Sequence, residues 1–268
     1  MSESLQTVNF TISEAGAATI ELNRPHRMNA WTPQLAQDLL VALSQAAEQE
    51  SVRAVMLTGA GRGFSSGADL KEGGAGELGP NGRPDVYKTL TELYHPVIKA
   101  IREMEKPVIA AVDGAAAGVG CSLALCCDLV LASQSAYFLL AFVNVGLVPD
   151  GGSSLLVPSR IGMARAAEMA MLGERIPAPQ ALEWGLINRV IPDGELREQA
   201  GALLERLAAG PTRSYAAAKR QLNSWLYARM DGQLELEARL QQEMTETEDF
   251  FEGITAFLEK RPPKFVGR

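Results

Sequence analysis

An apolar strand that runs into a glycine-rich turn and then into a helix occurs twice in this chain, and the repeat limits the folds open to it. The first copy spans 53–70. A short apolar run at 53–57 ends at Thr58-Gly59 and leads into Gly61-Arg62-Gly63-Phe64-Ser65-Ser66-Gly67. The second spans 108–127. The run at 108–112 turns at Asp113-Gly114 and continues through alanines and glycines into a helix over 118–127. Strands that are apolar throughout are buried on both faces, which is the habit of parallel strands covered by helices.

The remainder fits around that core. Residues 7–12 and 17–22 are β-rich and joined by Glu14-Ala15-Gly16, as in a hairpin. Thr32-Pro33 starts a helix that carries Leu35, Leu39, Leu43 and Ala46 on one stripe. Residues 72–84 are rich in glycine and proline and read as a mobile loop, of a length that in compact domains usually serves function. Residues 86–105 read as a single helix bent at Pro96. A strand follows at 129–132. After Pro149-Asp150-Gly151-Gly152 the chain becomes mainly helical, with helices at 152–161, 163–172 and 178–184, a strand at 187–191, and helices at 194–208, 212–229, 232–247 and 249–259. The expectation is an α/β core over 1–195 and a helical segment over 196–268.

Composition narrows the chemistry. The 268 residues carry a formal charge of −7. That argues against nucleic-acid or anionic-membrane surfaces, though not against a local basic pocket. Two histidines, His26 and His95, and three clustered cysteines leave few ligands for a metal site and no disulfide framework. The polar start of the chain shows no signal peptide, and the apolar run at 114–127 is too short to span a membrane. A cytoplasmic location is expected. Carboxylates, hydroxyls and backbone groups must carry most of any reaction.

The glycine turns have several readings. The 61–67 patch lacks the lysine of a phosphate loop, and its third glycine is one position late for a dinucleotide fingerprint. Gly120-Cys121-Ser122-Leu123-Ala124 approaches a nucleophile elbow, but both histidines precede Ser122. Alternatively, the two turns are folding punctuation, or they present backbone N–H groups to one carbonyl oxygen. Asp150 is likewise open: it could cap the helix that follows, or it could be a carboxylate held against an apolar pocket and poised for proton transfer.

In order and spacing, Leu22-Asn23-Arg24-Pro25, Met28-Asn29-Ala30, Phe64-Ser65-Ser66-Gly67-Ala68-Asp69-Leu70, Lys106-Pro107-Val108-Ile109-Ala110-Ala111-Val112, Ala116-Ala117-Gly118-Val119-Gly120 and Ala181-Leu182-Glu183-Trp184-Gly185-Leu186-Ile187 closely resemble the crotonase (enoyl-CoA hydratase/isomerase) superfamily. The resemblance implies a crotonase-like spiral of ββα units with a C-terminal helical trimerisation segment, and homotrimers or homohexamers. It implies an acyl-CoA thioester substrate, with no cofactor or metal beyond the coenzyme A of the substrate itself. The thioester carbonyl would take N–H bonds from Ala68 and Val119, each worth roughly 2.7–4 kcal/mol as an enolate forms. Arg27, Met28, Ala30, Ser66, Asp69 and Leu70 would line the coenzyme A groove, with Lys260 on phosphate and His95 lining the acyl pocket.

One departure is catalytic. The two glutamates of the family's hydratases map to Ser122 and Phe142, which would line the pocket without acting as bases. Residues 141–150 resemble the ring-1,2-epoxyphenylacetyl-CoA isomerase-like branch, in which an aspartate at the Asp150 position handles the proton. Asp150 with His95 also matches part of the 4-chlorobenzoyl-CoA dehalogenase pattern. The resemblance therefore implies an enoyl-CoA isomerase working through Asp150. The alternatives are a hydratase with a non-standard base and a non-catalytic acyl-CoA-binding protein.

Overall fold

The computed structural model describes residues 5–72, 76–79 and 82–268. Part of the 72–84 loop therefore lies outside the described residues. The hairpin β1 (Val8–Ile12) and β2 (Ala17–Leu22) opens a six-stranded sheet of order β1-β2-β3-β4-β6-β9, with β3 at Ala54–Gly59, β4 at Val108–Val112, β6 at Leu129–Ser133 and β9 at Arg189–Ile191. Only β1 and β2 pair antiparallel; the later neighbours are parallel. A smaller sheet of β5 (Ala115–Ala117), β7 (Tyr137–Leu139) and β8 (Ile176–Pro177) stands beside it.

The apolar runs of β3 and β4 follow from burial on both faces. Val55, Leu57, Val108, Ala110 and Val112 point into the main core, with α1 (Pro33–Glu48), α3 (His95–Glu103) and α4 (Val119–Cys126). The alternate residues Ala54, Met56, Ile109 and Ala111 meet Leu196, Ala200, Leu203 and Leu204 of α7 (Leu196–Ala208) on the other side. The period of two along a strand divides the residues this way. At the start of α1, the Thr32 hydroxyl accepts from the Leu35 amide and Pro33 takes the first position, as the sequence suggests.

Two elements differ from expectation. The 86–105 helix is three pieces: α2 (Val86–Thr89), a π-helical turn at Leu90–Tyr94, and α3. Pro96 donates no N–H and its ring crowds the carbonyl four residues back, so the ladder widens just before it and the His95 amide reaches the Leu90 carbonyl. The alanines after Gly114 form strand β5 before the helix begins. The two helices read at 152–161 and 163–172 are α5 (Ser153–Leu172), kinked at Gly162, where φ is 74°. The chain continues through α6 (Ala178–Glu183), α7, α8 (Thr212–Leu226), α9 (Met230–Met244) and α10 (Glu248–Glu259). Among the described residues, no helix is long and apolar enough to cross a membrane.

Candidate active site

The two glycine turns are bound to each other by backbone. The Ser65 amide donates to the Ala115 carbonyl at 2.9 Å, and the Ala117 amide donates to the Ser65 carbonyl at 2.9 Å. Gly67 and Gly118 then meet across the junction. A Cβ on Gly67 would lie 3.0 Å from the Ala117 carbonyl oxygen, and the φ angles are +93° and +52°. Only glycine suits both the conformation and the approach.

At that junction two amides make no backbone bond among the described residues. Trp31 donates to the Gly67 carbonyl at 2.7 Å and accepts from the Asp69 amide at 2.8 Å. Ala68 lies between those two bonds. Its own N–H makes no backbone bond among the described residues. Val119 is the first residue of α4, where helical N–H groups have no partner in the preceding turn. Both residues line a cavity of about 260 Å³. Its walls come from the 66–70 turn, from α2 and the π-helical turn, from Leu139 to Leu147, and from Phe250 and Phe257 of α10.

Asp150 lines the same cavity and is 6% exposed. Its main-chain carbonyl accepts from the Ser122 hydroxyl at 2.7 Å and the Ser153 hydroxyl at 2.8 Å, which fixes the turn. Its carboxyl does not cap α5. That role falls to Glu237 of α9, whose carboxylate accepts from the amides of Gly152 at 2.7 Å and Ser154 at 3.0 Å. One turn further along α9, the Gln241 Nε2 donates to Asp150 Oδ2 at 2.7 Å. Asp150 Oδ1 is buried and has no partner among the described residues. Burial, reinforced by the charge of Glu237 and opposed by the Gln241 bond, raises the Asp150 carboxyl to about 8. Burial raises Glu237 as well, against its bonds to Ser154 and Gly152.

Of the residues expected at the site, Ser66, Ala68, Leu70, Val119, Phe142 and Asp150 line the cavity together. Ser122 is fully buried behind it, bonded to the Asp150 turn. Asp69 and Arg24 form a buried pair at 3.2 Å that braces the 66–70 turn. Arg27 is half-exposed and bonds Glu72 at 2.9 Å. Met28 and Ala30 support that turn: the Ser66 amide donates to the Met28 carbonyl, and Arg24 bonds the Ala30 carbonyl. Asp69, Arg27, Met28 and Ala30 do not line the cavity. Neither does His95, whose buried Nε2 has no partner among the described residues and whose ring pKa burial lowers to about 4. Lys260 is exposed at the end of α10, one turn beyond the cavity-lining Phe257. Among the described residues, no three His, Cys, Asp or Glu side chains gather into a potential metal site.

Gln241 and Glu237 are not among the expected residues, yet a signal for both exists. Leu234, Glu237, Ala238 and Gln241 occupy one helical stripe, so two polar residues interrupt an otherwise apolar, buried face of α9.

Residues 13–268 match the model of the family described as enoyl-CoA hydratase/isomerase. The chain belongs to the enoyl-CoA hydratase/isomerase family. It is 44% identical to a probable enoyl-CoA hydratase of Rhodobacter capsulatus, over 99% of this chain and 100% of that protein. It is 40% identical to the 1,2-epoxyphenylacetyl-CoA isomerase of Escherichia coli, over 95% of this chain and 97% of the relative. A crystal structure of an enoyl-CoA hydratase from Mycobacterium avium subsp. paratuberculosis superposes with a TM-score of 0.87 at 37% identity, covering 98% of this chain and 100% of that one. The spiral α/β fold with its C-terminal helices is therefore the crotonase fold, and membership assigns the protein to chemistry on acyl-CoA thioesters.

Proposed function

We propose that this member of the enoyl-CoA hydratase/isomerase family is an enoyl-CoA isomerase that shifts a double bond by proton transfer through Asp150. The thioester carbonyl accepts from the Ala68 and Val119 amides, and their field stabilises the negative charge that develops on that oxygen. The ionised Asp150 removes a proton from the carbon activated by the thioester. A dienolate forms, and the same carboxyl returns the proton at the far end of the conjugated system. The acyl group occupies the cavity.

One observation carries this reading: Asp150 is the one carboxylate lining the cavity among the described residues, and Gln241 on the same wall holds its Oδ2. A water-adding site of the family's usual kind needs two carboxylates. The corresponding positions hold Phe142 and a Ser122 already committed to the Asp150 turn. With Asp150 raised to about 8, the base form gains tenfold per pH unit below that value.

The test is turnover of a β,γ-enoyl-CoA, read as the gain of conjugated-thioester absorbance. Activity should rise with pH to a plateau above about 8 and be abolished in Asp150→Asn. Undiminished turnover by that variant would refute the assignment. Loss of crotonyl-CoA absorbance without isomerisation would identify a hydratase, and binding without turnover of any acyl-CoA a non-catalytic protein. By family resemblance the working assembly is a homotrimer or homohexamer, built through the helical segment after residue 195.

A further inference from the structure

The Phe142 ring closes on the junction of the two glycine turns. It is carried by a 3₁₀ turn (Ala141–Val145), lines the cavity and is 8% exposed. A Cβ on Gly118, the residue before the Val119 amide, would lie 4.0 Å from the tip of the ring. The Asp150 turn reaches the same donor residue: a Cβ on Gly151 would lie 3.6 Å from Val119 Cγ2. The turn that carries the ring is fastened at both ends. Before it, the Gly118 amide donates to the Leu139 carbonyl at 2.9 Å. After it, a Cβ on Gly146 would lie 2.9 Å from the Asp249 main chain, and one on Gly253 would lie 2.6 Å from that of Val145, so the turn and α10 pack backbone to backbone. Polar partners for a water are scarce beside the ring. Thr89 and Asn144 spend their donors on the Asp85 and Gly173 carbonyls, at 3.0 and 2.9 Å. On the α9 side, Gln241 bonds the Asp150 carboxyl and is 1% exposed. A water settles in a cavity only where about two to four polar groups receive it.

We propose that Phe142 determines reaction specificity by sealing the reaction centre against water, so that the shuttled proton does not exchange with solvent and the conjugated product is not hydrated. This rests on the isomerase function proposed above. In that reaction the C2–H bond of the acyl chain breaks. Its proton goes to the Asp150 carboxylate and its electron pair enters the dienolate. Electrons at C4 then take the same proton, which leaves the double bond between C2 and C3 and restores the carboxylate. Water can intervene twice. It can exchange the proton while the carboxyl holds it, and it can add to the product, hydroxyl to C3 and proton to C2. Both events need a water beside Asp150 and the thioester, and the acyl group together with the Phe142 ring leaves it no place. Closing a site in this way suppresses proton leakage and side reactions alike.

The test feeds the protein 3-hexenoyl-CoA with deuterium at both C2 positions, in ordinary water, and reads the mass of the 2-hexenoyl-CoA formed at low conversion. On the wild type about half or more of the product should keep both deuterons, one of them moved to C4. In Phe142→Ala and Phe142→Ser that share should fall about tenfold, and both variants should convert trans-2-hexenoyl-CoA to 3-hydroxyhexanoyl-CoA, which the wild type does not form. Phe142→Leu, still apolar, should keep the label as the wild type does, which separates a seal against water from general damage by substitution. Complete loss of one deuteron from the wild-type product would overturn the proposal, and that measurement needs no substituted protein to fold. Retention in Phe142→Ala and Phe142→Ser equal to that of the wild type would overturn it as well. Both results leave the isomerase reading intact, because isomerisation has taken place. Absence of any isomerisation by the wild type would refute that reading, and the seal with it.

Discussion

Replacing Asp150 with asparagine should stabilise the protein, and by an amount that depends on pH. In the folded state the carboxyl titrates at about 8, against an ordinary value of 3.8. Between those values the folded chain holds a proton that the unfolded chain has released. Stability of the wild type therefore declines as pH rises from about 4 to about 8, with a slope near 1.4 kcal/mol per pH unit from this group. Asparagine is neutral throughout, has nearly the same shape, and keeps an oxygen for the Gln241 bond. The variant should match the wild type near pH 4 and exceed it by up to about 4 kcal/mol at pH 7. For a chain of this size that is a rise in Tm of about 8 °C. Urea and thermal unfolding of both proteins across pH 4–9 provide the assay. Unfolding curves that stay parallel across that range would show that Asp150 titrates as an ordinary carboxylate and is not held by its surroundings. The reasoning behind a proton-shuttling role would then fail.

Glu237→Gln removes a negative charge that opposes ionisation of Asp150, so the rising limb of the pH–rate profile should move by up to about one unit toward lower pH. An unmoved limb would refute the coupling. The same change should cost about 1–2 kcal/mol, from weakened bonds to the start of α5, measured by urea unfolding. Gly67→Ala places a Cβ against the Ala117 carbonyl at a φ of +93° and should lower kcat about 100-fold by displacing the Ala68 amide, checked by steady-state kinetics beside calorimetric binding. Lys260→Ala should raise KM for acyl-CoA without changing kcat, and should leave KM for the matching pantetheine thioester, which lacks the nucleotide phosphates, unaltered.

The parts of the site that the sequence displays are those in which neighbours along the chain do the work. Gly67 next to Ala68, and Gly118 next to Val119, declare a turn with a free amide because the glycine and the donor are adjacent. Asp150 is visible for the same reason, between an apolar run and two glycines of positive φ. Its controls are not visible this way. Gln241 and Glu237 reach the site from 91 and 85 residues away, and on a helix a polar residue ordinarily faces water. Only their place on the Leu234–Ala238 stripe distinguishes them. The sequence left Asp150 with two readings, helix cap or pocket carboxylate. Glu237 occupies the cap, which releases the Asp150 carboxyl to the cavity. The break at Leu90–Tyr94 escaped a periodicity reading because the apolar stripe is continuous across it, while the cause is a missing N–H at Pro96.

The packing of Ser122 against Gly151 bears on how this branch of the family could diverge. A Cβ on Gly151 would already lie 2.9 Å from the Ser122 Cβ. A side chain at 151 therefore collides with α4, and the Ser122 hydroxyl holds the Asp150 carbonyl at 2.7 Å. The helix residue and the turn are fitted to each other, so a change at either one alters where the Asp150 carboxyl sits.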